Sequence, residues 1–298
     1  MSGFPATDTL GTMVDEVVDA LQGHTLEGER ITTLLADMSN NDTAISVADS
    51  ILARGTIEIG QELMWVASTT GDAGIIQPWG RGWKSTTAES HLAGDPVYIN
   101  PSWPKAVVAR EIRNTVLAMY PMLFAIKEHS FTTTTVDYQF DLPADCEQVL
   151  KIQWLRTGLE GWIPVESWDL MSIVGTTELP NGKVLSILDL VPVGSQVKVT
   201  YAAIPTPMTS LSDTWTSTGL PSSCKDVAIY GTLARMARSL DLARLSTQSA
   251  QAAALGQQRP QGIAIQVARE YQSNYTTRLA EERRLLLNRI NPRAHRTR

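Results

Sequence analysis

The stretch from Asn100 to Pro121 constrains the fold most, because it predicts a single helix with marked ends. Pro104 suits a first helical turn, where a missing N–H costs nothing, and Ser102 suits the N-cap position before it. Four apolar residues recur at helical spacing and predict one buried face: Val108, Ile112, Val116 and Met119. Pro121 ends the pattern, so we predict a helix over 102–120.

Sequence rich in β-branched residues lies on both sides of this helix, which predicts an α+β fold. We expect a helical body of three or four helices, an antiparallel β sheet and an inserted small β module. An N-terminal amphipathic helix in 1–30 belongs to the helical body, 31–99 forms the β module, and 100–298 forms the main body. Within the main body we predict a sheet over 131–203, helices over 223–242 and 263–289, and a basic C-terminal arm over 290–298.

Period-two alternation supports the predicted sheet. Three segments each place large apolar residues on one face: Val136, Tyr138 and Phe140; Leu150, Ile152 and Trp154; Val197, Val199 and Tyr201. Pro164 cannot donate to a ladder, so its segment is expected at a sheet edge. Residues 243–262 are polar and small, and we assign them no structure.

Charge is distributed unevenly along the chain. The net charge is −6, but seven arginines and two glutamates give residues 278–298 a balance of +5, which leaves −11 on the other 277 residues. An acidic body argues against a general nucleic-acid-binding protein. The basic end is either a solvated helix with Glu/Arg pairs or an arm that docks on a partner, and its candidate docking residues are Arg283, Arg284, Arg289, Arg293, Arg296 and Arg298.

No feature of the sequence predicts catalysis, a cofactor or a metal. None of the four histidines stands in a metal-ligand spacing, and Cys146 and Cys224 lie far apart, as expected of two reduced thiols. Nucleophile-elbow, phosphate-loop and dinucleotide-binding motifs do not occur. The chain shows no secretory signal and no apolar run of about 18 residues, so no membrane span is predicted.

Four tryptophans lie in or beside the β module: Trp65, Trp79, Trp83 and Trp103. They either fill the core of a small module or form an aromatic platform that stacks on sugar rings or on a protein. Trp79, Arg81 and Trp83 are the candidate residues of such a partner-contact loop. Arg81 could equally form a cation–π pair within the loop.

The order of elements, together with the segment TVDYQFDLPADCEQVLKIQW, resembles the head-to-tail adaptor (connector) proteins of tailed bacteriophages. The step Leu142-Pro143-Ala144-Asp145 between two strands carries much of that resemblance. The β module is similar to a piece found in phage tail and connector proteins, and the matching positions are Gly55, Glu58, Glu62, Gly80, Arg81, Gly82, Thr87, His91 and Gly94.

The resemblance implies a structural virion protein of the neck, made in the host cytoplasm, that forms a ring, usually twelve-fold, under the portal. Its partners would be copies of itself, the portal protein and a downstream tail or stopper protein. Genomic DNA would pass through the ring during ejection without specific binding, and the C-terminal arm would reach the portal. The alternative is a tail or baseplate component whose tryptophan-bearing module binds a receptor glycan or a fibre protein; an enzyme without a motif is the third reading.

Overall fold

A computed structural model of the chain describes residues 8–22, 30–133, 139–156, 161–238 and 263–290. The chain divides into two compact units: one contains residues 1–113, 210–212 and 228–274, and the other contains residues 114–209, 213–227 and 275–298. The mixed α and β character and the antiparallel sheets that the sequence predicts are confirmed. Elements of the predicted helical body contribute to both units.

The first helix, α1, covers Leu10–Gln22. Thr9 begins it, because its side-chain oxygen accepts a hydrogen bond from the Thr12 amide at 3.2 Å. The predicted amphipathic face is confirmed, and its buried residues are Leu10, Met13, Val14, Val17, Val18 and Leu21. Gly23, which follows the helix, lies outside the described residues.

Six antiparallel strands form the β module, in the order β1-β6-β3-β4-β5-β2. The strands are β1 Arg30–Thr33, β2 Ala44–Ser46, β3 Gly55–Ile59, β4 Glu62–Thr70, β5 Ala73–Ile76 and β6 Pro96–Ile99. The two outer strands continue into a bridge between Leu34 and Val47, where the Leu35 amide donates to the Ser46 carbonyl at 2.9 Å. The sheet therefore curls into a small barrel, which leaves no long open edge.

The interior of this barrel is aliphatic. Its core consists of Leu34, Met38, Ile45, Val47, Leu52, Ile57, Ile59, Met64, Val66, Ile76, Val97 and Ile99. These residues alternate along the strands, as expected where one face of each strand points inward. The core contains no tryptophan, so the module is not filled by the indoles.

The central helix, α2, covers Lys105–Ala118 and so begins later than predicted. The Ser102 cap is wrong, because the first helical carbonyl is that of Pro104, which accepts from the Val108 amide at 3.0 Å. A free amide of the first turn, that of Ala106, donates instead to the buried carboxylate of Glu58 at 2.9 Å. An acidic side chain there also complements the positive end of the helix dipole. The predicted face is confirmed, since Val108, Ile112, Val116 and Met119 are fully buried.

The second unit contains two sheets where one was predicted. A four-stranded sheet has the order β10-β9-β13-β7, and a three-stranded sheet has the order β11-β12-β8. The strands are β7 Ala125–Thr132, β8 Gln139–Asp141, β9 Gln148–Leu155, β10 Trp162–Pro164, β11 Trp168–Ser172, β12 Lys183–Ile187 and β13 Gln196–Ala203. The segment with Pro164 lies at an edge, as predicted.

The two sheets of this unit share one hydrophobic core, which includes Leu142, Ile152, Leu185, Val199 and Tyr201. The face predicted from Val197, Val199 and Tyr201 is buried as expected. On β9 the prediction is wrong at one position: Val149, not Leu150, enters the core, because a bulge shifts the register against β13 between Thr200 and Tyr201. Val136 and Tyr138 lie outside the described residues, and Phe140 packs against the core.

Two further helices follow the sheets. A 3-10 turn at Ser222–Cys224 leads into α3, which covers 225–238 of the described chain. The last helix, α4, covers Ile263–Ile290, in agreement with the helix predicted over 263–289, and its buried residues include Ala268, Glu282 and Leu286. Residues 239–262, and 291–298 of the predicted arm, lie outside the described residues. Among the helices that the structure describes, none has the length and apolar character needed to cross a membrane.

Candidate functional site

Three indole rings form a row on the outer side of the barrel. The Trp65 and Trp83 ring centroids lie 5.6 Å apart, and those of Trp83 and Trp79 lie 5.4 Å apart, both pairs tilted. Trp65 projects from β4 and is half-buried, whereas the Trp79 residue is 57% exposed. The row therefore runs from the sheet surface to solvent and ends in an accessible aromatic ring.

Two glycines let the loop between β5 and β6, residues 77–95, pack closely against the barrel and against itself. A Cβ at Gly80 would stand 2.7 Å from the Trp65 carbonyl oxygen, so only glycine permits this approach. Gly82 has a φ of +60°, and a Cβ there would meet the Thr86 carbonyl oxygen at 2.7 Å. The glycines of Gly80-Arg81-Gly82 thus serve close packing of the backbone and do not form a phosphate loop.

Between these glycines, Arg81 makes a two-pronged ion pair with Glu62 of β4. Arg81 Nε lies 2.8 Å from Glu62 Oε1, and Nη2 lies 2.9 Å from Oε2. The remaining guanidinium protons reach the backbone carbonyls of Ser39, Asp42 and Glu89 at 2.7–2.9 Å. All five donors are therefore used, and the Arg81 side chain is only 5% exposed.

Glu62 is saturated in turn. Its fully buried carboxylate also accepts from the Gly82 amide at 2.9 Å, the Glu89 amide at 3.0 Å and His91 Nε2 at 2.9 Å. Burial by itself would raise the pKa of Glu62, but the hydrogen bonds from Arg81, His91 and the two amides outweigh it and lower the pKa to about 2. The carboxylate is ionised at neutral pH and joins β4 to two other stretches of the chain, 81–82 and 89–91. We call Glu62, Arg81 and His91 the buried charge network.

The far end of the loop is attached through Thr86. Its hydroxyl oxygen accepts from the Leu63 amide at 3.0 Å and donates to the Trp83 carbonyl at 3.0 Å. Lys84 and Ser85, between these points, have φ values of 55° and 67°, a strained conformation for residues other than glycine. The loop holds this backbone while exposing both side chains.

The three residues predicted to contact a partner are adjacent but differ in depth. Trp79 is accessible, and Trp83 lies between Trp65 and Trp79. Arg81 is buried in its ion pair with Glu62, so it is not exposed to a partner at the surface. The Trp83 Nε1 atom is buried and has no hydrogen-bond partner among the described residues. Sequence reasoning marked Glu62 and His91 as recurring positions but missed that Glu62 binds both Arg81 and His91.

The second candidate surface is the basic end of α4. Arg283, Arg284 and Arg289 are exposed, whereas Arg278, which precedes all three on α4, pairs with Glu281 at 2.7 Å and with Glu282 at 3.4 Å. Within the described residues no ion pair forms at Arg283 or Arg284. The other predicted docking residues, Arg293, Arg296 and Arg298, lie outside the described residues.

Glu282 fastens this end of α4 to the turn before α3. Its buried carboxylate accepts from the Ser223 hydroxyl at 2.7 Å and lies 3.7 Å from Cys224 Sγ. Burial and the neighbouring Glu282 raise the pKa of the Cys224 thiol to about 12. The exposed arginines are therefore presented from a helix that is anchored near its C-terminal end.

No other chemistry emerges in the part of the chain that the structure describes. It contains no group of three or more His, Cys, Asp or Glu side chains that could hold a metal ion. Cys146 and Cys224 are both free and buried. What the two candidate surfaces share is exposure: the Trp79 ring on the first, and Arg283, Arg284 and Arg289 on the second.

A comparison with protein families decides the class of protein. The family model described as SU10 adaptor protein matches residues 87–281, close to two thirds of the chain. The chain belongs to this family. The SU10 adaptor proteins are a bacteriophage adaptor family, so the protein is a structural, virion-associated protein of a phage. No curated protein matches the chain.

The two candidate surfaces lie outside the region that matches the SU10 adaptor family. The match covers both sheets of the second unit and most of α2 to α4, but it begins after Trp83 and ends before Glu282. The tryptophan row, Glu62 and Arg81 therefore lie outside the matched region, and so do the exposed arginines of α4. These surfaces belong to this chain beyond what the family match covers.

Proposed function

We propose that this phage adaptor protein is a head-to-tail adaptor: a ring of identical copies that joins the portal to the tail around the DNA exit channel. It acts as a structural component, without a catalytic step. Its partners are neighbouring copies, the portal protein and a downstream tail or stopper protein. The observation that carries the proposal is the adaptor-family match across 87–281.

The charge distribution supports passage of DNA through such a ring. The chain is acidic overall, and its excess of positive charge is confined to the C-terminal end. A wall of net negative charge repels phosphates and so favours movement of DNA over retention. A twelve-fold ring is our expectation for the stoichiometry.

The C-terminal arginines support docking on the portal. Arg283, Arg284 and Arg289 project from an anchored helix, and arginine matches carboxylates with two parallel hydrogen bonds. An acidic surface on the portal is the partner that this geometry fits. The arm residues Arg293, Arg296 and Arg298 extend the same charge.

The proposal is tested by mixing purified protein with portal particles and measuring bound protein by co-sedimentation and electron microscopy. The wild type is expected to form a ring on the portal. A variant with Arg283→Glu, Arg284→Glu and Arg289→Glu, or one that lacks 293–298, should bind at least tenfold more weakly.

A matched control reverses exposed positive charges elsewhere, at Arg54, Lys151 and Arg156. This variant changes the net charge equally and should bind the portal normally. Loss of binding in the control, or full binding by the arm variants, would contradict arm docking. A wild type that ignores portal particles and never forms a ring would overturn the adaptor proposal.

The tryptophan row supports a second candidate function, recognition of a receptor glycan or a fibre protein by the β module. Trp79 presents an exposed ring at the end of a tilted stack, and such rings stack on the apolar faces of sugars. Trp79→Ala should abolish binding on a glycan array or to fibre protein without unfolding. Leu92→Ala removes another exposed apolar side chain of the module and should leave binding unchanged. A wild type that binds neither probe eliminates this candidate.

A further inference from the structure

Two loops of the second unit expose the most solvent-accessible large apolar side chains of the described chain. The β11–β12 loop, residues 173–182, exposes Val174 at 89%, and the β12–β13 loop, residues 188–195, exposes Leu190 at 88%. Ile173, Leu188 and Val193 are exposed beside them. Clusters of exposed aliphatic side chains, unlike single ones, are typical of surfaces at which proteins bind one another.

The β12–β13 loop is held in one conformation from within. The Asp189 carboxylate accepts from the backbone amides of Glu166 and Ser167 at 2.7 Å and 3.0 Å. On the other side of Leu190, the Pro192 carbonyl accepts from the Thr133 hydroxyl at 2.8 Å. Leu190 is therefore displayed by a loop that is fastened on both sides, which lowers the entropy that binding would cost.

The β11–β12 loop is also held by hydrogen bonds within itself. The Ile173 amide donates to the Gly182 carbonyl at 2.8 Å, and the Thr176 hydroxyl oxygen accepts from the Leu179 amide at 3.1 Å. A Cβ at Gly175 would stand 2.5 Å from the Pro180 carbonyl oxygen, so the two arms of the loop touch. Val174 stands at the outside of this closed turn.

Sheet topology places the two loops at opposite ends of one antiparallel pair. Ser172 pairs with Lys183 beside the first loop, and Trp168 pairs with Ile187 beside the second. Five residues of strand separate the ends by about 16 Å. Each copy thus carries two apolar patches that face away from each other along the strands. Apart from Glu178, the only charged side chain in the two loops is Asp189, which is engaged internally.

We propose that these loops are the two halves of a contact between copies of this chain: the β12–β13 loop of one copy packs against the β11–β12 loop of the next. A foreign partner would need only one of the patches, whereas a head-to-tail contact between copies uses both and repeats. Both patches are almost uncharged, so they match each other and would not match an acidic or basic partner. The inference rests on the proposed ring and names its contact surface.

Cysteine cross-linking tests the contact. The variants Val174→Cys and Leu190→Cys are prepared singly and together in the full chain and treated with a short thiol-reactive cross-linker, both free at high concentration and bound to portal particles. The native thiols are buried and remain silent. The mixture of single variants should yield dimers, the double variant should yield a ladder of higher multimers, and each single variant alone should stay monomeric.

Dimers from either single variant alone would overturn the proposal, because they would mean that each patch meets its own copy. Cross-links to portal or tail protein instead of to another copy would also overturn it. Leu92→Cys is the matched control, as an exposed leucine of the β module, and its mixture with Leu190→Cys should give no dimer. Replacing Val174 and Leu190 by serine should weaken association of copies at least about tenfold.

The experiment separates this inference from the proposed function. If the protein forms rings on portal particles but 174 and 190 do not cross-link, the contact is wrong and the adaptor function stands. If the protein never binds portal particles while the free double variant still gives the ladder, the contact stands and the portal function fails.

Discussion

At the scale of single residues, the buried carboxylate of Glu62 accepts five hydrogen bonds. Three parts of the chain meet at it, because Arg81, His91 and the amides of Gly82 and Glu89 all donate to its two oxygens. A buried ion pair is a weak source of net stability, yet removing one partner is strongly destabilising because the other charge is left uncompensated. The buried charge network therefore fixes the conformation of the loop between β5 and β6, in addition to stabilising the module.

Glu62→Gln is expected to lower the free energy of unfolding by about 3–5 kcal/mol, since the Arg81 guanidinium stays buried without a counter-charge. Chemical denaturation followed by far-UV circular dichroism measures the loss. Asp15→Asn is the matched control, because it breaks an exposed ion pair to Lys105 of equal length, 2.8 Å, and should cost less than about 1 kcal/mol. Equal effects of the two substitutions would refute the assignment.

The contribution of Glu62 should also depend on pH. Its pKa is lowered to about 2 in the folded protein from about 4.5 in the unfolded chain, so its ionised form stabilises the fold. The stabilisation is complete above about pH 4.5 and is lost as the pH falls towards 2; its size is of the order of 3 kcal/mol. The stability difference between wild type and Glu62→Gln should therefore shrink over that window, and a difference that stays constant would contradict the ionised state.

The two native thiols should be inert in the folded protein. Burial raises the pKa of Cys146 to about 11, and burial together with Glu282 raises the pKa of Cys224 to about 12. At pH 8 only about one thiol in a thousand or fewer is then the reactive thiolate. Ellman's reagent should titrate two thiols rapidly in denaturant and neither at a comparable rate in the native protein. Rapid reaction of one thiol in the folded state would contradict the burial.

At the scale of elements, the loop between β5 and β6, which carries Trp79 and Trp83, is held in two ways. Its glycines permit close packing, and hydrogen bonds attach it to residues distant in the sequence. Gly80 lets the backbone approach β4, and Gly82 lets it approach Thr86 within the loop. The buried charge network and the Thr86 hydroxyl hold the loop against β4. Trp79 is accessible because the loop ends its aromatic row at the surface. Disturbing the backbone should therefore change the indole environment.

Gly82→Ala and Gly60→Ala form a matched pair for this loop. Both glycines have a φ of +60°, but a Cβ at Gly60 meets nothing within 4 Å, whereas one at Gly82 meets the Thr86 carbonyl. Both substitutions carry the left-handed penalty of about 1–2 kcal/mol, and Gly82→Ala should cost at least about 1 kcal/mol more. Thermal unfolding measures the difference, and only Gly82→Ala should shift the tryptophan fluorescence. Equal costs and unchanged fluorescence in both variants would contradict the close approach.

At the scale of the whole molecule, charge is separated along the chain, with an acidic body and a basic end. The structure shows why that end is available: Arg278, which precedes Glu282, is paired with Glu281 and Glu282, whereas Arg283, Arg284 and Arg289 are exposed on the anchored helix α4. Leu286 packs inward beside them, whereas Leu285 and Leu287 are exposed. Docking through this end should therefore combine ionic contacts of the arginines with a smaller contribution from apolar contacts of Leu285 and Leu287.

Binding to portal particles should weaken as salt rises from about 0.05 M to 0.5 M, because the Debye length shrinks about threefold over that range. Sedimentation binding curves at several salt concentrations measure the slope. A variant with Arg283→Gln, Arg284→Gln and Arg289→Gln should bind more weakly and show a shallower slope. Docking that ignores salt would mean that Leu285 and Leu287 dominate the contact.

Local sequence patterns were sufficient for the helices and for most strand faces. The apolar faces of α1 and α2 follow from spacings within a few turns, since a helix brings together residues three and four apart. Strand β7, AIKEHSFT, was missed because its half-buried face carries polar residues such as Lys127 and His129, which give no apolar alternation. The start of α2 was misplaced because its first-turn amide is capped by Glu58, 48 residues away.

By itself, the sequence determined the mixed α and β character, the antiparallel sheets, the helical faces and the basic charge of the C-terminal end, because these depend on neighbouring residues and on composition. Tertiary structure alone decided the closure of the barrel, the division of the second β region into two sheets, and the meeting of Glu62 with Arg81 and His91. Those features depend on contacts between residues at least 13 positions apart in the sequence. Burial and hydrogen bonding across the core select which of these residues meet. No periodicity within a single segment carries that information.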